Sequence, residues 1–138
     1  MENNTNSADF RFAGYKVVKS VIEFNGDIVG NKFSVNIDPS GIKDGKSFFL
    51  KLDVSVEDEC KSYSVFVSMI GRFEFDENVD RLPDFFTVNA PAILFPYVRA
   101  YISSLTSASG VDTVIIPTLN LISLKESLSE NITDKNLS

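Results

Sequence analysis

The chain has 138 residues, 43% of them hydrophobic and 23% charged, with a formal charge of −6 and no histidine. That is enough chain for one domain with a buried core. The acidic balance speaks against a nucleic-acid surface, which needs clustered Lys and Arg. No apolar run approaches the roughly eighteen residues that mark a membrane span, so membrane insertion is not expected.

The side-chain inventory narrows the chemistry further. Without histidine, Ser-His-Asp and Cys-His nucleophiles are excluded, and a zinc site would need an unusual oxygen-rich shell. The single cysteine, Cys60, cannot close an internal disulfide, so a reducing cytoplasm is the simplest setting. Gly26 and Gly30 are spaced for turns and not for a phosphate loop. The composition therefore predicts neither an enzyme nor a cofactor or metal site.

In chain order, residues 1–9 are Asn/Ser-rich and acidic, carry no secretory pattern, and are expected to be a disordered tail ahead of a single domain over 10–132. A first strand runs from about Phe10 to Phe24 and ends at the turn signal Asn25-Gly26-Asp27. A second, Lys32 to Asp38, places Phe33, Val35 and Ile37 on one face, and Pro39 and Gly41 are expected to end it. The third is the clearest: Phe48, Leu50, Leu52, Val54 and Val56 alternate with Phe49, Lys51, Asp53, Ser55 and Glu57, so one face meets a core and the other meets water. The fourth, about Ser62 to Phe75, puts Tyr63, Val65, Val67, Met69, Phe73 and Phe75 on one face. Its other face also carries Phe66 and Ile70.

After Pro83 the period becomes helical. Ile93, Leu94, Tyr97, Val98, Tyr101, Ile102 and Leu105 recur at three and four residues. Asn89 is the expected cap, and the regular helix is expected to begin near Pro96 or bend there, because an internal proline removes a backbone bond. A short last helix opens at Ser123-Leu-Lys-Glu126, which reads as a capping box. Leu124, Leu128 and Ile132 form its thin stripe, and a polar tail follows over 133–138. Strands first and helices last predict an α+β fold: a four-stranded antiparallel meander with a long and a short helix packed on one face.

Acidic clusters carry little chemistry. Glu57-Asp58-Glu59 reads as a solvated hairpin tip, and Glu74, Asp76 and Glu77 as a polar strand end. Cys60 beside Lys61 is either an incidental thiol or one with a depressed pKa. The remaining signal is apolar. Val114, Ile115, Ile116, Leu119, Leu121 and Ile122 occupy a loop, which is either pinned into the core or a binding surface for apolar segments.

Three motifs add a resemblance. Ser68-Met-Ile-Gly-Arg-Phe-Glu-Phe75, Asn89-Ala-Pro-Ala-Ile-Leu-Phe-Pro-Tyr-Val-Arg99 and Pro117-Thr-Leu-Asn-Leu121 resemble the fourth-strand end, helix opening and following loop of the SecB export chaperones. The resemblance implies a cytoplasmic homotetramer, a dimer of dimers. It also implies ATP-independent holding of unfolded or nascent polypeptides, and delivery to the SecA translocase motor. It makes Val114, Ile115, Ile116, Leu119, Leu121, Ile122, Leu124 and Leu128 the expected client-binding residues, and Phe66, Ile70, Tyr97 and Tyr101 the expected subunit contacts. Ser20, Phe24 and Phe66 stand where the export chaperones carry motor-facing acids, so the alternative is a dedicated chaperone of one client, such as the antitoxin of a toxin–antitoxin pair, that does not dock on the motor.

Overall fold

The computed structural model describes residues 9–26 and 32–135. The expected N-terminal tail, apart from Asp9, and Asp27 of the expected turn lie outside the described residues. The elements are β1 (Phe10–Phe24), β2 (Phe33–Asp44), β3 (Ser47–Asp58), β4 (Tyr63–Phe75), α1 (Asp84–Ala108), α2 (Leu124–Glu130) and β5 (Ile132–Asp134). The result is an α+β fold, a sheet with two helices packed on one face. Strand order is β1-β4-β3-β2-β5. The consecutive meander is therefore β2-β3-β4, and β1 lies beside β4 and not beside β2, a Greek-key connection.

β3 alternates as its sequence demands: Phe48, Leu50, Leu52, Val54 and Val56 are all buried on the helix side. β4 contributes Tyr63, Val65, Val67, Met69, Phe73 and Phe75 to the same core. Phe86 of α1 meets Phe48 and Phe73 edge-on at 5.1 and 5.3 Å, the geometry ring quadrupoles prefer.

β1 reaches this core despite irregular spacing. Its pairing with β4 slips between Phe12 and Gly14 and again between Val17 and Lys19, leaving Ala13 and Val18 as bulged residues. The two slips keep Phe10, Phe12, Val17 and Ile22 on the core side, partly buried against it.

β2 does not stop at Pro39; it pairs with β3 as far as Asp44↔Ser47. The hydrogen-bond phase explains this. Lys32 accepts from the Glu59 amide on the β3 side, whereas Gly41 gives its amide to the Asn131 carbonyl on the open side. Odd-numbered β2 residues thus direct their amides outward, and Pro39 lacks only an edge donor. Gly41 is required for space: a Cβ there would come within 2.2 Å of the Phe48 ring.

The helix α1 begins at Asp84, behind Pro83, and continues as one helix past Pro91 and Pro96. The expected start at Asn89 or Pro96 is thereby corrected. Phe86, Ala90, Leu94, Val98, Ile102 and Thr106, every fourth residue, are buried. An internal proline costs ~3 kcal/mol, but each large side chain of that stripe contributes about 1.5–3 kcal/mol by leaving water, so packing wins. Gly71 of β4 admits the helix, since a Cβ there would sit 3.0 Å from a Leu94 methyl.

Two further expectations near the C-terminus are corrected. Ser123 makes no side-chain cap bond; the first amides of α2, those of Leu124 and Lys125, take the Leu121 and Ile122 carbonyls instead. Ile132, Thr133 and Asp134 form β5, parallel to β2 at Gly41–Lys43, where a helical stripe and a polar tail were expected. The buried Lys43 ammonium holds this strand through Asp134 at 3.8 Å and reaches Asn78 at 3.5 Å.

Candidate functional site

The segment after α1 is an extended strand with no sheet. Val114 and Ile116 point inward and are buried, while Ile115 between them is 68% exposed. Side chains of α1 supply its backbone partners. Arg99 Nε donates to the Ile116 carbonyl at 2.9 Å, and Ser103 Oγ donates to the Val114 carbonyl at 2.8 Å. Thr106 Oγ accepts the Val114 amide at 2.9 Å and itself donates to the Ile102 carbonyl at 2.9 Å. The next turn is closed by Asn120, whose side-chain oxygen accepts the Ile122 amide at 3.1 Å, an Asx turn.

This clasp creates a groove. Its floor is a side of α1 carrying the exposed Ala92 and Pro96, the half-buried Arg99 and the buried Phe95, and its wall is Leu119, Leu121 and Ile122. The volume is about 350 Å³, and an adjoining depression of about 250 Å³ shares Pro96 and Arg99 and reaches Ile115. Pro96 has no N–H for the Ala92 carbonyl, so the floor includes an acceptor without its helical donor. A second opening lies on the sheet. Phe33, Val35 and Ile37 send their amides to the edge not paired with β3, and among the described residues β5 covers β2 at Gly41–Lys43 and no strand pairs with this edge beyond it.

The structure divides the eight expected client-binding residues. Ile115 and Ile122 are exposed, at 68% and 63%. Leu119, Leu121 and Leu124 are half-buried. Val114, Ile116 and Leu128 sit in the core, the first two because an alternating extended segment turns every second residue inward, and Leu128 on the inner side of α2. The apolar loop is thus pinned into the core at Val114 and Ile116 and open to solvent at Ile115 and Ile122. Ala92 and Pro96 were not foreseen as floor residues. Their signal was the spacing, since Ala92 and Pro96 fall between the buried positions Ala90, Leu94 and Val98.

The four expected subunit-contact residues are not gathered on one surface. Phe66 and Ile70 are half-buried on the sheet face turned away from the helices. Tyr97 and Tyr101 face β1 from α1: Tyr97 lies 4.7 Å from the Tyr15 ring, and the Tyr101 hydroxyl is 2.9 Å from Ser20 Oγ. Ser20 and Phe24 pair with Val67 and Tyr63 on the helix side. Only Phe66 of the three motor-facing positions is on the outer sheet face, and Glu23, paired with Ser64, joins it there.

The carboxyls with shifted pKa lie elsewhere. Asp58 is turned inward at the β3–β4 hairpin, where burial alone would raise its pKa. The Ser62 hydroxyl and the Tyr63 and Ser62 amides outweigh that and hold the carboxyl below its ordinary value. Glu74 is lowered by hydrogen bonds from Arg72 and Ser47. Among the described residues no three His, Cys, Asp or Glu gather to hold a metal, and no helix is long and apolar enough to cross a membrane. What the groove offers is apolar area and backbone acceptors, the means of binding a polypeptide.

Fold and groove together define a sheet-and-helix class of protein with an exposed apolar groove beside its long helix. The family model described as "Preprotein translocase subunit SecB" matches residues 30–129. The chain belongs to the SecB family and is a SecB-like chaperone. A solved SecB-like chaperone from Mycobacterium tuberculosis, Rv1957, in complex with a ChAD peptide from the HigA1 antitoxin, superposes with a TM-score of 0.68 over 80% of this chain and 89% of that one, at 12% identity. The uncharacterized protein MJ0357 of Methanocaldococcus jannaschii is 38% identical over 65 residues. That match spans 46% of this chain and 42% of its relative, so the chain covers less than half of that protein.

Proposed function

We propose that the protein is an ATP-independent, cytoplasmic holdase for a particular polypeptide client, and that the α1–loop groove is where the client lies. The observation that carries this reading is the pair of exposed isoleucines, Ile115 and Ile122, bordering a groove floored by α1. Apolar side chains recognise area more than sequence, so an unfolded segment is the natural occupant. The open β2 edge would add main-chain hydrogen bonds to an extended segment, with alternate side chains falling toward the helix layer. The antitoxin peptide held by the M. tuberculosis relative supports a dedicated client of that kind.

Assembly is part of the proposal. β1 is a 15-residue edge strand, and long exposed edges need a cover. Tyr15 and Tyr97, half exposed beside it, would join the contact of a dimer and, through two dimers, a tetramer. A second reading, delivery to the SecA motor, is favoured by Glu23 and Glu57 around a shallow depression on the outer sheet face. Lys16 and Lys19 share that face, which weighs toward the dedicated role.

The test is aggregation of an unfolded client followed by light scattering. Suppression at stoichiometric chaperone, weakened by Ile115→Asp with Ile122→Asp, is expected. No suppression of any client, including a co-expressed antitoxin, would overturn the holdase reading, and tight capture by purified SecA would favour the delivery reading.

A further inference from the structure

The outer sheet face carries a second groove, on the side of the molecule opposite the client groove. The two β1 bulges open it. Ala13 and Val18, the unpaired residues, line it with Phe49 and Ile70, and its volume is about 560 Å³. Pairing registers put its neighbours in order. Lys16, Ile70 and Lys51 form one rung across β1, β4 and β3; Gly14, Arg72, Phe49 and Ile42 form the next, across β1, β4, β3 and β2. An apolar strip of Val18, Ile70, Phe49 and Ile42 is thus flanked by three cations, in a chain whose formal charge is −6. Val18 and Ile42 are 46% and 41% exposed.

The fold engages two of the cations in part and leaves the third free to meet a partner. Arg72 gives its Nε to Glu74, and Glu74 is further met by Ser47 Oγ. Lys51 is 3.9 Å from Asp53, with both side chains partly exposed, a weak surface pair. Lys16 has no ion-pair partner among the described residues. Carboxylates border the strip at both ends of the same face, Glu74 beside Arg72 and Asp53 with Asp38 beside Lys51, and Glu57 and Glu23 lie beyond them. A polyanion or an anionic vesicle would press its charge against those carboxylates, whereas a short segment would not.

We propose that this groove docks a partner polypeptide through a short segment in which carboxylates flank large apolar side chains. The apolar residues fill the strip over Ile70 and Phe49, and the carboxylates meet Lys16 and Arg72. The site is independent of client holding, so loss of one leaves the other.

The probe is a fluorescein-labelled octapeptide alternating aspartate with leucine and phenylalanine, read by anisotropy with the full chain. A matched peptide with lysine for aspartate is the control. The aspartate peptide is expected to bind saturably, with weakening at raised salt. Lys16→Glu should weaken it about fivefold, as befits one exposed charge contact reversed, improve the lysine peptide, and leave aggregation suppression at the wild-type level. Ile70→Ser should weaken both peptides, with the thermal midpoint reported alongside. Several results would overturn the proposal. These are equal binding of the two peptides, indifference to Lys16→Glu, or loss of the peptide on Ile122→Asp, which would place it in the client groove. A mass change in sedimentation for Lys16→Glu would reassign the face to a subunit contact. Tighter, Lys16-dependent binding of phosphatidylglycerol vesicles or a single-stranded oligonucleotide would reassign it to those ligands.

Discussion

β3 and the segment around Ile115 are both extended, and both turn alternate side chains into the same core. They differ in what holds their backbones. β3 lies between β2 and β4, and every residue from Ser47 to Glu57 has a partner on each side. The segment at 114–116 pairs with no strand among the described residues and hangs on Arg99, Ser103 and Thr106. A ladder spreads its free energy over a dozen residues, whereas three side-chain bonds concentrate it. The same in-out alternation thus builds a permanent core in one place and a detachable groove wall in the other.

The largest effect should come from the sheet side of that contrast. Leu52 is fully buried at the centre of β3. Leu52→Ala should cost about 2–5 kcal/mol, read as a lower midpoint in urea with the slope unchanged. Client suppression should fall only as the unfolded fraction rises. An unchanged midpoint would mean that the core is not where the alternation places it.

Next is the clasp itself. Thr106 is 1% exposed and takes the Val114 amide. Thr106→Val keeps the shape and leaves that amide buried without a partner, at about 1–3 kcal/mol. The loss should be local. Hydrogen exchange at 114–116 should quicken while β3 amides keep their protection. Uniform loss of protection would show that wall and sheet open as one unit, and the comparison would fail.

How much of this was readable beforehand follows the same division. Strands β3 and β4 and the helical core were legible because a period of two or of four, sustained over many residues, needs no other information. The length of α1 was not, because Pro91 and Pro96 are local objections that the stripe from Phe86 to Thr106 overrides through tertiary burial. The β1 bulges were hidden, since Val17, Val18, Val21 and Ile22 fit either face until β4 sets the register. β5 could not be seen because three residues carry no period; it exists through Gly41 and Lys43, ninety residues earlier in the chain. For the groove, the apolar run at 114–122 was visible, but which of its members faced out depended on side chains of α1 reaching the backbone.

Smaller still in stability is the groove rim. Ile115 and Ile122 are exposed, so Ile115→Asp with Ile122→Asp should change the unfolding free energy measured in urea by no more than about 0.5 kcal/mol per site. Client affinity should nevertheless drop about tenfold if the pair contributes even half of its apolar area to the complex. Titration of a labelled unfolded client would read this. A large stability loss with unchanged affinity would exchange the roles assigned to rim and core.

Acid separates the two regions by chemistry alone. The β3–β4 hairpin relies on Asp58, whose carboxylate accepts from Ser62 and Tyr63 and is held below its ordinary value of 3.8. A group with a depressed folded pKa contributes stability that is present above the unfolded pKa and lost as the pH falls through the folded one. The hairpin should therefore loosen as the pH drops below about 3.8. The clasp at 114–116 uses a guanidinium and two hydroxyls, none of which gains a proton there. Exchange measured at stepped acid pH should show the amides of Ser62 and Tyr63 opening first, with the Val114 amide following only when the whole fold goes. Asp58→Asn should make the hairpin weaker at neutral pH and flatten its acid response, leaving the clasp unmoved. If Val114 opens together with Tyr63 in the wild type and not in Asp58→Asn, the wall is coupled to the hairpin through the sheet, and its independence is refuted.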